Sequence, residues 1–271
     1  MNDINLYENI PELSNDTPIK VENNEACYIT PHWHEHIELI HILSGGGRFY
    51  CGANAVDASC GETVVVNSNE LHQLESENIE YVYMIINPSF LFGVDYDKIV
   101  FNSKIPKDDI VASAFEKICR ERGKGDICSD YIIKGETYLL MSHLVKKYAR
   151  ERLSKQEYDT RIARMNKINK MLEWIHIHYR EQITTADLAK KWYLSESHVC
   201  HIFKKAVGMT VLEYINRYRV DKAALLLHNT EETISEIAHE VGFDNLNYFD
   251  RIFRRYKNMT PKKYQNTKSG Q

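Results

Sequence analysis

From about residue 26 to 105, apolar residues come in short runs set off by turn formers. "HIELIHILSGGGRFYCG" holds β-favouring runs broken by a glycine cluster, and "ETVVVNSNELHQL" and "EYVYMIIN" are short apolar runs bounded by Asn, Ser and Pro. Several short strands at regular spacing predict a sandwich or barrel. Near residue 107 the period lengthens. Val111, Ala114, Phe115, Ile118 and Cys119 recur at helical spacing, as do Ile133, Thr137, Met141, Leu144, Val145 and Tyr148. Two helices are predicted around a turn at "RGKGD" (122–126). The stripe over 133–148 reads either as a dimer face or as packing against the barrel of the same chain. The polar run "ERLSKQEYD" (151–159) reads as a linker. Beyond it, Ile162, Met165, Ile168, Leu172, Ile175 and Tyr179 begin a third helical stripe. The rest of the chain reads as helical, interrupted at "REQITT", "HNTEET" and "GFDNLN".

Composition narrows this picture. With 271 residues, 43% hydrophobic and 27% charged, the chain reads as globular and long enough for more than one core. It has no apolar run of membrane-spanning length. Its polar, acidic start lacks the basic residues and apolar run of a secretory signal, so a cytoplasmic location and no membrane partner are expected. The six cysteines (27, 51, 60, 119, 128 and 200) form no C-x-x-C pair, which argues against a zinc ribbon and for free thiols. Charge is divided unevenly. Residues 1–160 carry 15 Lys+Arg against 26 Asp+Glu, and residues 161–271 carry 19 against 12, so net charges of −11 and +7 sum to the overall −4. A basic module following an acidic one points to a polyanionic partner for the former.

The basic part repeats itself. "ADLAKKWYLSESHVCHIFKKAVGMTVLEY" (186–214) aligns with "SEIAHEVGFDNLNYFDRIFRRYKNMTPKKY" (235–264). Ala189 matches Ala238 at an offset of 49, whereas Phe203 and Phe253, Met209-Thr210 and Met259-Thr260, and Tyr214 and Tyr264 match at 50. One residue has therefore been added in the intervening turn. Each copy reads as a short helix with an inward alanine, a tight turn, a polar N-cap and a second helix with an apolar face. The N-cap is Ser195 in copy one and Asn245 or Asn247 in copy two. Gly242 supplies left-handed backbone in the second turn. Tyr193 replaces it in the first, a departure that a wider turn would absorb. This is a helix-turn-helix, whose second helix enters the DNA major groove. Lys204-Lys205 and Arg254-Arg255 end the two second helices, where they would meet phosphates.

These residues, with the linking segment "YINRYRVDKAALLL" (214–227) and the pattern "IA…VGF…YF" of copy two, resemble the DNA-binding domain of the AraC/XylS transcriptional regulators. The resemblance implies two motifs on one face, at about 184–207 and 234–257, reading major-groove segments about one turn (~34 Å) apart. Carried over by position, Ser197, His198, Cys200 and His201 of copy one and Leu246, Asn247, Asp250 and Arg251 of copy two would face bases. Arg251 suits guanine, Asn247 adenine, Asp250 a cytosine amine and Leu246 a thymine methyl. Arg251 would alternatively brace the module itself.

The barrel region carries the other candidate chemistry. "PHWHEHIELIHILSGGG" (31–47) packs four histidines and two glutamates into 17 residues. His32-x-His34, then Glu38, Gly45, Gly61 and a distal His72 resemble the two motifs of the cupin barrel. Departures are "NSN" (67–69) where proline and glycine are usual, and the extra His36 and His41. Three readings stay open: a divalent transition metal (Fe, Mn, Ni or Zn) held by His32, His34, Glu38 and His72; a metal-free effector pocket that also includes Trp33, Arg48 and Tyr50; or a purely structural cluster. The expected fold is α+β and multidomain: a cupin-like jelly-roll barrel over 1–105, a helical dimerisation and linker region over 106–160, and an all-α module with two helix-turn-helix motifs over 161–271. The expected function is a transcription factor, an activator by family habit, whose partners are double-stranded DNA, a small-molecule effector such as a carbohydrate, a second copy of the chain and RNA polymerase. The alternatives are a cupin metalloenzyme or metal or redox sensor with an appended DNA-binding module, and a constitutive DNA binder with a silent barrel.

Overall fold

The computed structural model describes residues 8, 10, 11, 13, 17–91, 98–230 and 232–266. Two compact units divide between Asn166 and Lys167.

The first unit is built on nine strands: β1 (Ile19–Asn24), β2 (Tyr28–His32), β3 (Ile37–Cys51), β4 (Asn54–Ser59), β5 (Thr63–Val66), β6 (His72–Ile86), β7 (Ile99–Phe101), β8 (Lys104–Ile105) and β9 (Ala149–Arg152). Seven of them form an antiparallel sheet in the order β1-β6-β3-β5-β8, with β2 added on β6 and β4 on β3. The glycine cluster does not break β3 as the sequence pattern predicts. It bends it. Gly45 sits at φ +68°, and a Cβ there would lie 2.1 Å from the Asn78 carbonyl oxygen. The pairing of β3 with β6 slips between Ile42 and Ser44 and again between Gly46 and Arg48. Such bulges curl a strand, so the first half of β3 pairs with β5 and the second half with β4.

Alternation along β3 then creates two cores. Ile37 and Leu39 pack outward with Val82, Met84 and Ile86 against helices α1 (Asp109–Glu121) and α2 (Ile127–Tyr148). Ile40, Ile42 and Phe49 face the interior with Val64, Val66, Leu74 and Tyr81. Thr137, Met141, Leu144 and Tyr148 are buried in this unit, so the stripe over 133–148 covers the barrel rather than forming a dimer face. The helices expected as a separate region thus share the barrel's core.

The expected linker at 151–159 is also corrected. β9 pairs with β7, and α3 (Lys155–His178) follows at once. "SKQE" is polar because it caps this helix: Ser154 N donates to Glu157 Oε2 at 2.8 Å and Glu157 N to Ser154 Oγ at 3.3 Å. Asp108 caps α1 and also accepts from His143, Lys147 and Tyr148 of α2 at 2.7–3.0 Å. Burial would raise its pKa, but these donors hold it well below the usual carboxylate range.

The second unit contains the remaining helices: α4 (Thr185–Lys191), α5 (Glu196–Val207), α6 (Val211–Asn229), α7 (Ile234–Glu240), α8 (Leu246–Lys257) and α9 (Pro261–Asn266). The sequence repeat is a structural repeat. Thr184 and Thr233 each close a capping box on the first helix, while Ser195 and Asn245 cap the second. In the second copy Ile237, Ala238, Val241, Phe249, Ile252 and Phe253 pack on Val220, Ala223 and Leu227 of α6. Buried Arg219 of α6 donates to the carbonyls of Tyr179 and Glu181 at 2.7 and 2.6 Å, tying off the end of α3.

Candidate functional site

The barrel interior holds a cavity of about 180 Å³, with Glu38, His32 and His72 in its polar wall. His32 closes β2, His72 opens β6, and Glu38 lies near the start of β3 paired with Val66. His34 falls in the bend between β2 and β3 rather than on a continuous strand with His32, yet it is buried and its Nε2 lies 3.2 Å from Glu38 Oε2. Asn69 takes the left-handed backbone (φ 58°), and its N–H donates to the His34 carbonyl at 3.0 Å. The "NSN" departure therefore keeps the turn, because asparagine tolerates this conformation.

Each imidazole is oriented in the same way. The Nδ1 atoms of His32, His34 and His72 lie 2.9, 3.2 and 2.9 Å from the carbonyl oxygens of Thr30, His36 and Glu70. A carbonyl only accepts, so each Nδ1 carries a proton, and in the neutral ring the Nε2 presents a lone pair. Those of His34 and His72 turn to Glu38, and the donor atoms of all four residues lie within 4.8 Å of one another. His72 Nε2 is 3.1 Å from Glu38 Oε2 but is not aligned as a hydrogen bond, leaving this buried nitrogen without a partner. Burial and repulsion from His32 pull the His72 pKa down to about 4, so it is neutral at pH 7. Burial would raise the Glu38 pKa, but contacts from His34 and His72 hold it well below the usual carboxylate range. With the imidazoles neutral, lone pairs face a carboxylate, an arrangement that a bound cation stabilises. Three nitrogens, one oxygen and second-atom bonds to carbonyls fit a divalent transition metal.

Three residues assigned to the pocket from sequence lie elsewhere. Arg48 is exposed and makes a bidentate pair with Asp57 at 2.8 and 2.9 Å. Tyr50 donates to Glu75, and neither it nor Trp33 is among the side chains lining the cavity. The physical reason is the bulged strand: Glu38 and Ile40 face inward before the glycines, Phe49 and Cys51 after them. Residues that the sequence reading missed complete the wall. Glu8 Oε2 lies 3.2 Å from His32 Nε2, and Gln73 and Tyr81 line the cavity, with the buried Gln73 Nε2 unpartnered. Buried polar atoms without partners in a β run are the signal, and it is visible only in three dimensions.

On the second unit, Ser197, His198, Cys200, His201, Lys204 and Lys205 are exposed on α5, and Leu246, Asn247, Arg251, Arg254 and Arg255 on α8. Val199, Ile202 and Phe203, and likewise Phe249, Ile252 and Phe253, are buried on the opposite faces. Arg251 lies 5.2 Å over the Tyr248 ring. Asp250 is half-buried and bonded to Arg254 at 3.0 Å, and Arg255 lies 3.7 Å from Glu213. These exposed surface pairs are weak.

Comparison with known proteins matches residues 20–122 to the AraC-like ligand binding domain and 188–267 to a helix-turn-helix domain. The chain is 30% identical to the Msm operon regulatory protein of Streptococcus mutans, covering 98% of each. It is 28% identical to the uncharacterized HTH-type transcriptional regulator YdeC of Bacillus subtilis, over 92% of this chain and 90% of that one. The C-terminal domain of the response regulator yesN from Fusobacterium nucleatum is 34% identical over 40% of this chain and 98% of its own, with a TM-score of 0.33. The chain belongs to the AraC family of transcriptional regulators, with an N-terminal ligand-binding domain and a C-terminal helix-turn-helix region. It is a DNA-binding regulator and not an enzyme. Among the described residues, no helix is long and apolar enough to cross a membrane.

Proposed function

We propose that the protein is a metal-dependent, effector-responsive transcriptional activator. The observation that carries this reading is the convergence of one donor atom each from His32, His34, His72 and Glu38 within 4.8 Å of one another, beside a cavity in the barrel. His32, His34, His72 and Glu38 would hold the ion, which when bound supplies a positive charge and coordination positions for an effector. The remaining wall, Ile40, Phe49, Val66, Leu74 and Ile85, excludes water from the bound molecule. For DNA, the exposed faces of α5 and α8 read bases, and Lys204, Lys205, Arg254 and Arg255 hold phosphates. Exposed Tyr131, Ile132 and Leu139 on the outward face of α2 offer an apolar surface for a second copy of the chain. RNA polymerase is the further partner that activation requires.

Effector control demands different affinities for two states of the regulator. Selection of DNA from a random pool by the full chain tests the reading. It should enrich one motif with two half-sites about one helical turn apart, and removing metal with a chelator should change the affinity. Enrichment that ignores metal would leave a DNA-binding protein with a silent barrel, and no enrichment would overturn the proposal.

A further inference from the structure

The cavity wall specifies what kind of effector fits. This inference rests on the metal reading above. The volume of about 180 Å³ lies below the ~300–1,000 Å³ of ordinary ligand pockets, which favours a small occupant. Part of the wall is apolar: Ile29, Ile40, Phe49, Val66, Leu74 and Ile85. Among the described residues no lysine or arginine lines it. An anion would therefore find only the ion as its positive partner.

Four protein donors leave two positions on a six-coordinate ion. A dication less the Glu38 carboxylate, with three neutral imidazoles, carries a formal charge of +1 in a buried place, and buried charge seeks compensation. Glu8 does not supply it, because its carboxylate sits at the half-exposed rim on His32. One monoanion that binds through two oxygens satisfies both the charge and the coordination. Beyond these oxygens the apolar wall accepts a short hydrocarbon body. We infer that the effector is a short-chain 2-oxo or 2-hydroxy carboxylate, bound by both oxygens to the metal with its alkyl part on Phe49 and its neighbours. A sugar lacks the charge and supplies hydroxyl groups where the wall is apolar.

The test uses the full chain loaded with cobalt(II), whose visible absorption reports its ligands. Glu38→Gln and His72→Ala, checked for folding by circular dichroism, identify the band that belongs to this site. The loaded protein is then titrated with 2-oxoisovalerate, 2-hydroxyisovalerate, isovalerate and a panel of pentoses and hexoses. The expected result is a saturable change of the band and a raised melting temperature with the 2-oxo or 2-hydroxy acid, at affinity at least tenfold above isovalerate, and no response to sugars. A site-specific band that ignores both acids overturns the inference and leaves the metal reading standing. So does a response to a sugar instead. Absence of any cobalt band dependent on Glu38 and His72 overturns both.

Discussion

Tyr193 and Gly242 stand at the same point of the two helix-turn-helix copies and share the left-handed backbone, with φ of +54° and +92°. No wider turn relieves Tyr193; the first turn is in fact the shorter, since Ser195 follows Ala189 by six residues and Asn245 follows Ala238 by seven. Its side chain is 96% exposed, so no packing offsets the strain. A non-glycine residue in this region costs about 1–2 kcal/mol, and glycine returns part of that through its freer unfolded chain. Tyr193→Gly should stabilise the protein by about 0.5–1 kcal/mol in thermal melts. Gly242→Ala should do the reverse and by more, because a Cβ there lies 2.8 Å from the Arg180 carbonyl oxygen.

Under the proposed DNA-binding mode, the exposed faces of α5 and α8 divide into readers and anchors. Arg251 lies over Tyr248 near the start of α8, and Lys205 stands in the last turn of α5. Arg251→Ala should cost about 1–3 kcal/mol and relax preference at one base pair. Lys205→Ala should weaken all sequences alike and lower the salt slope by about 1. Titrations of matched and mutated sites at several salt concentrations separate the two. Equal loss on every site for Arg251→Ala would assign it to the backbone.

Arg219 carries structure rather than recognition. Its guanidinium bridges the carbonyls of Tyr179 and Glu181 and lies 5.5 Å over Phe243. Burial lowers its pKa without discharging it. Arg219→Ala should destabilise the second unit by about 2–4 kcal/mol, through two lost charge-assisted bonds and the orphaned carbonyls. Arg219→Lys should recover only part of this, since an ammonium does not reproduce the planar fork. Urea titration of each variant gives the comparison.

Acid should loosen the metal-free barrel. Burial lowers the pKa values of His36, His41 and His72, with repulsion from neighbouring histidines adding to it at His36 and His72, which fall to about 4. Folding therefore disfavours their protonation. The stability they contribute is fully present above the unfolded value of about 6.5 and is lost as pH falls from there towards 4. His32 works in the opposite sense, because burial is outweighed by Glu8 and Glu38, which raise its pKa. Three groups against one give a net loss on acidification. Melting temperatures of chelator-treated protein at pH 7.5, 6 and 5 should fall in that order, and His36→Gln should flatten the trend.

The sequence disclosed these parts unequally. The helical module was legible almost to the residue, because its turns, caps and inward alanines recur at offsets of 49 and 50. The grouping of His32, His34, Glu38 and His72 was legible too, since four such residues at family spacing are a local signal. The cavity wall was not. Strand parity predicts faces only while pairing stays in register, and the slips flanking Gly45–Gly47 turn Arg48 and Tyr50 outward while bringing Phe49 and Cys51 in. Glu8 joins His32 across 24 residues of chain and Tyr81 joins Glu38 across 43, beyond the reach of any local pattern. The polar run at 151–159 misled for a related reason: capping residues and linker residues share one composition.

The metal content of the purified chain bears most directly on the account. Elemental analysis should find one transition-metal ion per chain. His72→Ala and Glu38→Ala should lose it, and Arg48→Ala, on the outer surface, should keep it. No bound metal, and no stabilisation of the stripped protein by manganese, iron, cobalt, nickel or zinc, would contradict the reading of His32, His34, Glu38 and His72 as a metal centre.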